Sequence, residues 1–391
     1  MDTTNVEIAV IGGGVIGSSI AYHLARQGRR VLVAEQESES AAEPTASWAS
    51  AGGVRRQGRH AAEAKLASEA IARWKTLDQE LDADLHYRRG GQLLLAESDE
   101  EAEYLVRFVE RQHEFGFSDV RLVDRQEALE IAPGLHERVV AGSYSPTDGQ
   151  ADPARTTRAF AAAAQHLGAE YWYESAAFAV AINKGRVEVQ TAQGEVQAEH
   201  VVLAAGAWSD EIAASFGLRL PIRARALQMI LTTPAPPDTL RPVLGAVGRK
   251  LSLKQLPDGA FLVGGGWLGD LLPNRHSYKL DPEQVQGNMQ AARDLFAPVA
   301  EQRIARAWCG VEAFSFDGIP FIGAIPDLEG IILACGFSGH GFAIAPAVGR
   351  CAADLLAGRA VPELDGLSPA RMANFNPTQV EAFISDEKNA A

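Results

Sequence analysis

Six residues near the N-terminus carry the most specific chemical signal in the chain. Gly12-Gly13-Gly14-Val15-Ile16-Gly17 fits the pattern G-x-G-x-x-G. It follows an apolar strand over 6–11 and opens a helix over 15–27 that Gly28 stops. A second strand, 30–35, ends on Glu35, eighteen residues after Gly17. Strand, glycine turn, helix and strand form a βαβ unit, the setting in which this pattern binds a dinucleotide. Gly12 permits the tight turn, Gly14 lets the main chain approach a pyrophosphate, and Gly17 lets helix pack on strand. The helix N-terminus, at Val15 and Ile16, turns free N–H groups and a partial positive charge toward the phosphates. Glu35, with Gln36 beside it, is placed to hold the adenosine ribose. Its charge repels a 2′-phosphate, which disfavours NADP.

The fingerprint leaves NAD and FAD both open, so other motifs must decide. Ala46-Ser47-Trp48-Ala49-Ser50-Ala51-Gly52-Gly53 follows shortly after Glu35. Ala204-Ala205-Gly206-Ala207-Trp208-Ser209 ends an apolar strand, and Gly336-Phe337-Ser338-Gly339-His340-Gly341-Phe342 precedes the last helix. Three glycine-rich elements spread along the chain suit a cofactor that lies extended and deeply buried.

With these motifs the chain resembles the FAD-dependent D-amino-acid-oxidase family. Within it, the likeness is to the branch of sarcosine oxidase beta-type subunits, opine oxidase small subunits and D-hydroxyproline dehydrogenases. It covers essentially the whole length. It rests also on Ser50-Ala51-Gly52-Gly53-Val54-Arg55, and on Trp308-Cys309-Gly310-Val311-Glu312 followed by Asp317-Gly318-Ile319-Pro320 and Ile322-Gly323. The resemblance implies FAD. Gly12, Gly14 and Gly17 would hold its pyrophosphate, and Glu35 its ribose. Ser47, Ala51, Gly52 and Gly53 would lie along pyrophosphate and flavin. Ala205, Gly206 and Trp208 would pass near the adenine half, with Phe178 as a backbone contact to adenine. Ser338, Gly339, His340, Gly341 and Phe342 would meet the pyrimidine edge of the flavin. Helix N–H groups there stabilise the negative charge that reduction brings.

The chemistry implied is transfer of a hydride to flavin from the carbon beside an amine, giving an imine that water hydrolyses. No general base is needed if the amine binds neutral. His340 is a candidate for biasing substrate protonation or supporting the flavin carbonyl. Many amino-acid-oxidising relatives hold the substrate carboxylate with the arginine of Trp-x-Gly-x-Arg-Pro. Here that position is Glu312, and a carboxylate cannot bind a carboxylate. Glu312 is therefore expected either to face a cationic part of the substrate or to pair internally with an arginine such as Arg306. Arg55 and Lys254 remain as candidate carboxylate clamps, with bidentate geometry favouring arginine. Cys309 stands close to where some sarcosine oxidases attach flavin covalently, but a core role suits it better. The implied substrate is a secondary or N-substituted amino acid, sarcosine-like, opine-like or hydroxyproline-like. The alternatives are a flavin-bearing subunit with little activity alone, serving partner subunits that carry electrons, and an NAD-dependent dehydrogenase.

The elements that must position these residues form an α/β pattern, α+β in part. Leu66, Ala70, Trp74, Leu77 and Leu81 predict one amphipathic helix over 63–81. Ser98-Asp99-Glu100-Glu101 is a capping box for a helix that closes at Gly116, and Asp281-Pro282 opens another that stops before Pro298. A hairpin is expected over 186–202, strands over 259–267 and 330–335, a last helix over 345–356, and a surface loop over the Pro-rich 232–242. The reading is a Rossmann-type FAD-binding domain assembled from 1–80, 142–216 and 309–391. A mixed-sheet substrate domain, 81–141 and 217–308, is threaded through it.

Composition sets the outer limits. At 391 residues the chain holds two to three domains. A formal charge of −14 repels phosphate backbones and anionic lipids, so nucleic acid and membrane surfaces are poor partners. No apolar run approaches the roughly 20 residues of a bilayer span. The short 6–11 run is no signal peptide, and three separated cysteines make neither a disulfide framework nor an all-thiolate metal site. No metal is expected, and a cytoplasmic location is.

Overall fold

A computed structural model describes residues 3–183 and 185–385 of the chain. Among them, eight strands form a first sheet whose backbone order is Phe321–Ile325, Leu328–Cys335, Glu195–Leu203, Thr3–Ile11, Val31–Ala34, Glu170–Trp172. The four successive pairs from Leu328–Cys335 to Glu170–Trp172 are parallel. An apolar run such as Val6 to Ile11 suits that place, because a parallel sheet is covered on both faces. Ile8 and Val10 serve one core cluster while Ala9 and Ile11 serve the other. The expected hairpin is present as Arg186–Thr191 against Glu195–Leu203, and Ala177–Asn183 extends it. The first helix, Val15–Arg26, is buried from Val15 to Ala25. It packs against the last long helix, Gly341–Leu356, where Ser19 Oγ donates to Ala345 O at 2.8 Å.

Ten strands form the second, mixed sheet. Its spine is one long antiparallel pair, Ile222–Pro234 with Ile304–Ser315. These two sheets with their helices are a Rossmann-type domain joined to a second mixed-sheet region. No helix among the described residues is long and apolar enough to cross a membrane.

Several elements differ from the sequence reading, each for a local reason. The helix expected over 63–81 is two, Ala64–Trp74 and Leu77–Glu80. Thr76 breaks it with φ −126° and hydrogen-bonds back to Arg73 O, while Trp74 and Leu77 stay buried, so the apolar spacing survives the break. Part of the expected 232–242 loop is strand: Thr232 Oγ1 accepts from Phe261 N–H and Thr233 N–H donates to Arg303 O, both within 2.9 Å. The 259–267 strand ends at Gly264, and the chain resumes as Leu268–Leu271. The last long helix starts at Gly341 rather than 345.

Candidate functional site

A cavity of about 400 Å³ opens at the carboxyl ends of the parallel strands, where Ile11, Ala34, Ala204 and Ala334 form its wall. That is where an open α/β sheet binds its ligand, beside the strands at which the winding direction reverses. Gly12, Gly14, Val15 and Ile16 line it from the first turn, and Glu35, Gln36 and Ser47 follow. Phe178 (62% exposed) stands at its rim, with Ala205, Gly206 and Trp208 nearby. Ser338, Gly339, His340, Gly341 and Phe342 close the other end, together with Glu312 from the second sheet.

Local geometry explains how each wall is held. Gly12 has φ +104°, and a Cβ there would fall 2.5 Å from Ala204 O. A Cβ on Gly17 would strike the Gly12 carbonyl, so Gly17 does not line the cavity but lets the helix sit on its turn. Ser47 Oγ accepts the Val15 N–H at 2.9 Å. The 336–342 loop is pinned to the long strand Ile304–Ser315, where Ser338 N–H donates to Ala313 O at 2.9 Å and Ser315 N–H donates to Ser338 Oγ at 3.1 Å.

Two helices point their N-termini into this one space. The first, N-capped by Gly14, and the last, N-capped by His340, have no cap from the N-cap residue's own side chain and no acidic residue in the first turn, and among the described residues only Ser47 Oγ takes a first-turn N–H, that of Val15. Their orphan N–H groups and positive dipole ends suit a phosphate at one end and an electron-rich ring edge at the other. Glu35 Oε2 accepts from Gly13 N–H at 2.5 Å and Oε1 from Glu37 N–H at 3.0 Å, while burial pushes its carboxyl up to about 7. The Trp208 indole N–H is buried at the cavity with no partner among the described residues. An extended dinucleotide fits this donor set.

A buried charge cluster lies behind the His340 end. Arg59 Nη1 donates to His340 O at 2.8 Å and meets its Nδ1 at 2.8 Å, and Glu63 Oε1 is 3.2 Å from the same nitrogen. Burial lowers the His340 imidazole, against the upward pull of Glu63. For Glu63, burial raises the carboxyl but the His340 hydrogen bond and Arg59 outweigh it, and the net shift is downward.

Other expected site residues lie elsewhere. Ala51, Gly52 and Gly53 do not line the cavity; a Cβ on Gly52 would strike the Ala151 carbonyl and fall 3.0 Å from Lys254 Nζ. Lys254 is 2% exposed, and its burial drops the ammonium to about 7 against the pull of Asp152. Arg55 donates to Gln57 O at 2.9 Å, and burial lowers it while Asp148 and Glu63 hold it up. Neither reaches the cavity wall. Glu312 does, and it does not pair with Arg306, which is 3.3 Å from Glu43. Cys309 is fully buried, packs toward Gly269, and has its thiol pushed up to about 12 by burial. No cluster of metal-ligating side chains occurs among the described residues.

His276 and Glu211 line the cavity without any signal in the sequence. His276 arrives on the turn between Leu268–Leu271 and Tyr278–Lys279 and stacks on Trp208, ring centroids 5.4 Å apart. Ser50, Gly336 and Phe337, within the glycine-rich motifs, also line it.

This fold, with a dinucleotide cavity closed by a second sheet, defines a dinucleotide-binding class of protein. The chain belongs to the DAO family of FAD dependent oxidoreductases, which it matches over residues 7–355. It is an FAD-dependent oxidoreductase, and the NAD alternative falls. The glycine oxidase of Pseudomonas aeruginosa is 31% identical over 366 residues, covering 90% of this chain and 95% of that one. The mitochondrial dimethylglycine dehydrogenase of Homo sapiens is 27% identical over 400 residues, 95% of this chain but 45% of that longer protein. In structure, L-proline dehydrogenase from P. horikoshii is similar with a TM-score of 0.88 at 29% identity, covering 95% of this chain and 99% of that one. These relatives are named for the oxidation of amino acids.

Proposed function

We propose that the chain oxidises a secondary or N-substituted amino acid, sarcosine-like, opine-like or hydroxyproline-like, at the carbon beside the nitrogen. The observation that carries this reading is the cavity that joins the dinucleotide turn to the N-terminus of the last long helix. Similarity to an L-proline dehydrogenase and a dimethylglycine dehydrogenase supports a substituted nitrogen. FAD supplies the two-electron acceptor when bound. Gly12, Gly14, Val15 and Ser47 would hold its pyrophosphate, Glu35 its ribose, and 338–342 its pyrimidine edge.

The residues of this chain orient and tune. The N-terminus of Gly341–Leu356 favours negative charge at the far end of the cavity before any reaction begins. His340, fixed by Arg59 and Glu63, supplies a polar ring there. The strand Ile304–Ser315 roofs that end, and its apolar Val311 and Ala313 exclude water. Loss of hydride from the substrate leaves an iminium that water hydrolyses.

Anaerobic mixing of the yellow holoprotein with glycine, sarcosine, dimethylglycine, the proline and hydroxyproline isomers and opines tests this. Bleaching of the flavin band by substituted amines ahead of glycine and primary D-amino acids is expected. Bleaching by primary amino acids alone overturns the substrate class. Reoxidation by air, compared with an added acceptor, then separates dioxygen from partner subunits as the electron outlet.

A further inference from the structure

The buried carboxylates among the described residues come with donors. Glu35 has two main-chain N–H groups, Asp148 accepts from the N–H groups of Arg56 and Gln57, and Glu63 has Arg59 and His340. Glu312 differs. It lines the cavity beside the 336–342 loop, and a Cβ on Gly339 would fall 3.3 Å from its Oε2. No described group donates a hydrogen bond to it or ion-pairs with it, and desolvation alone acts on its carboxyl, raising it to about 7. Arg225 is its register partner across the long antiparallel pair, yet the Arg225 guanidinium lies over the Phe314 ring, 5.4 Å from the centroid. An acceptor left open to a cavity, with the neighbouring cation turned aside, calls for a donor from the ligand.

We propose that Glu312 receives a positively charged group of the substrate, an ammonium or guanidinium, and repels a substrate carboxylate from this end of the cavity. The inference rests on the function proposed above and narrows its substrate class to cationic amines. The cation is either the reacting amine or a second charge on its substituent. A charge-assisted hydrogen bond in a desolvated site gives the discrimination, because a like charge there stays unpaired.

The test titrates the holoprotein with methylguanidinium and with acetate, neither of which is oxidised, and reads the flavin absorption band. Saturable perturbation by methylguanidinium is expected, weakened about tenfold or more in Glu312→Gln. Acetate should bind only in Glu312→Gln. Absence of methylguanidinium binding, or equal binding in both proteins, overturns the proposal. So does loss of FAD from a folded Glu312→Gln protein, which would make the carboxylate a cofactor ligand. An opine built on arginine, compared with its alanine counterpart, separates the two sources of charge. A kcat/KM preference for the arginine form that Glu312→Gln abolishes assigns the distal group; no preference, with methylguanidinium affinity still lost, assigns the reacting amine. If no amine bleaches the flavin while the titration behaves as expected, the proposed function fails and this site stands.

Discussion

Arg59 and Glu63 form a buried ion pair, with side chains 1% and 2% exposed and Nη1 3.5 Å from Oε1. Such a pair contributes little net stability, but removing one partner strands the other charge. Arg59→Met should therefore lower the stability of the holoprotein by about 3–5 kcal/mol in urea unfolding. The double variant Arg59→Met/Glu63→Leu should lose less than Arg59→Met alone, since no lone charge remains. A double variant at least as unstable as the sum of the two singles would refute the coupling. At this scale the sequence is a partial guide. It singles out Glu312, because a residue type can be compared with a pattern, but it proposes Arg306 as the partner. Six residues along an extended strand span about 20 Å, and Arg306 is taken by Glu43. Arg59 and Glu63 carry no signal in the sequence, because nothing local ties them to His340, some 280 positions away.

At the scale of elements, what was legible was what is local. The βαβ unit closes within about thirty residues, so spacing and glycine placement define it. The turn 272–277 is the opposite case, since it belongs to the second sheet by connection and to the cavity by contact. Arg275 grips Asp210 with both ends of its guanidinium at 2.6 and 2.9 Å and donates to Ala207 O at 2.9 Å, while His276 covers Trp208. This turn is a strap over the Trp208 side of the cavity. Arg275→Ala removes its bidentate anchor and frees the stacked ring. Dissociation of FAD, followed by fluorescence on dilution, should quicken by about tenfold, as loss of a charge-assisted bond implies. The unfolding midpoint of the apoprotein should move little, because the Asp210 side chain left behind is partly exposed. An unchanged release rate would leave the turn a bystander.

For the whole molecule, the cavity is the seam. One wall is the ends of four parallel strands and the other includes Val311 and Ala313 of the second sheet. No sequence pattern reveals such a seam, because hydrophobic period reports which face of an element is buried and not what it is buried against. A cofactor filling the seam touches both sheets, so it binds the folded, closed arrangement and not the unfolded chain. Linkage then requires stability to climb with free FAD, by about 4 kcal/mol at a thousandfold excess over Kd. Apoprotein should accordingly melt lower than holoprotein, with a midpoint that rises steadily as FAD is restored. Near-ultraviolet circular dichroism of the tryptophans should follow the same curve, since Trp208 lines the cavity and Trp308 neighbours Trp48 on the segment that carries Ser47. A melting midpoint indifferent to FAD would mean that the two sheets hold each other without it, and the seam would then be a container and not a joint.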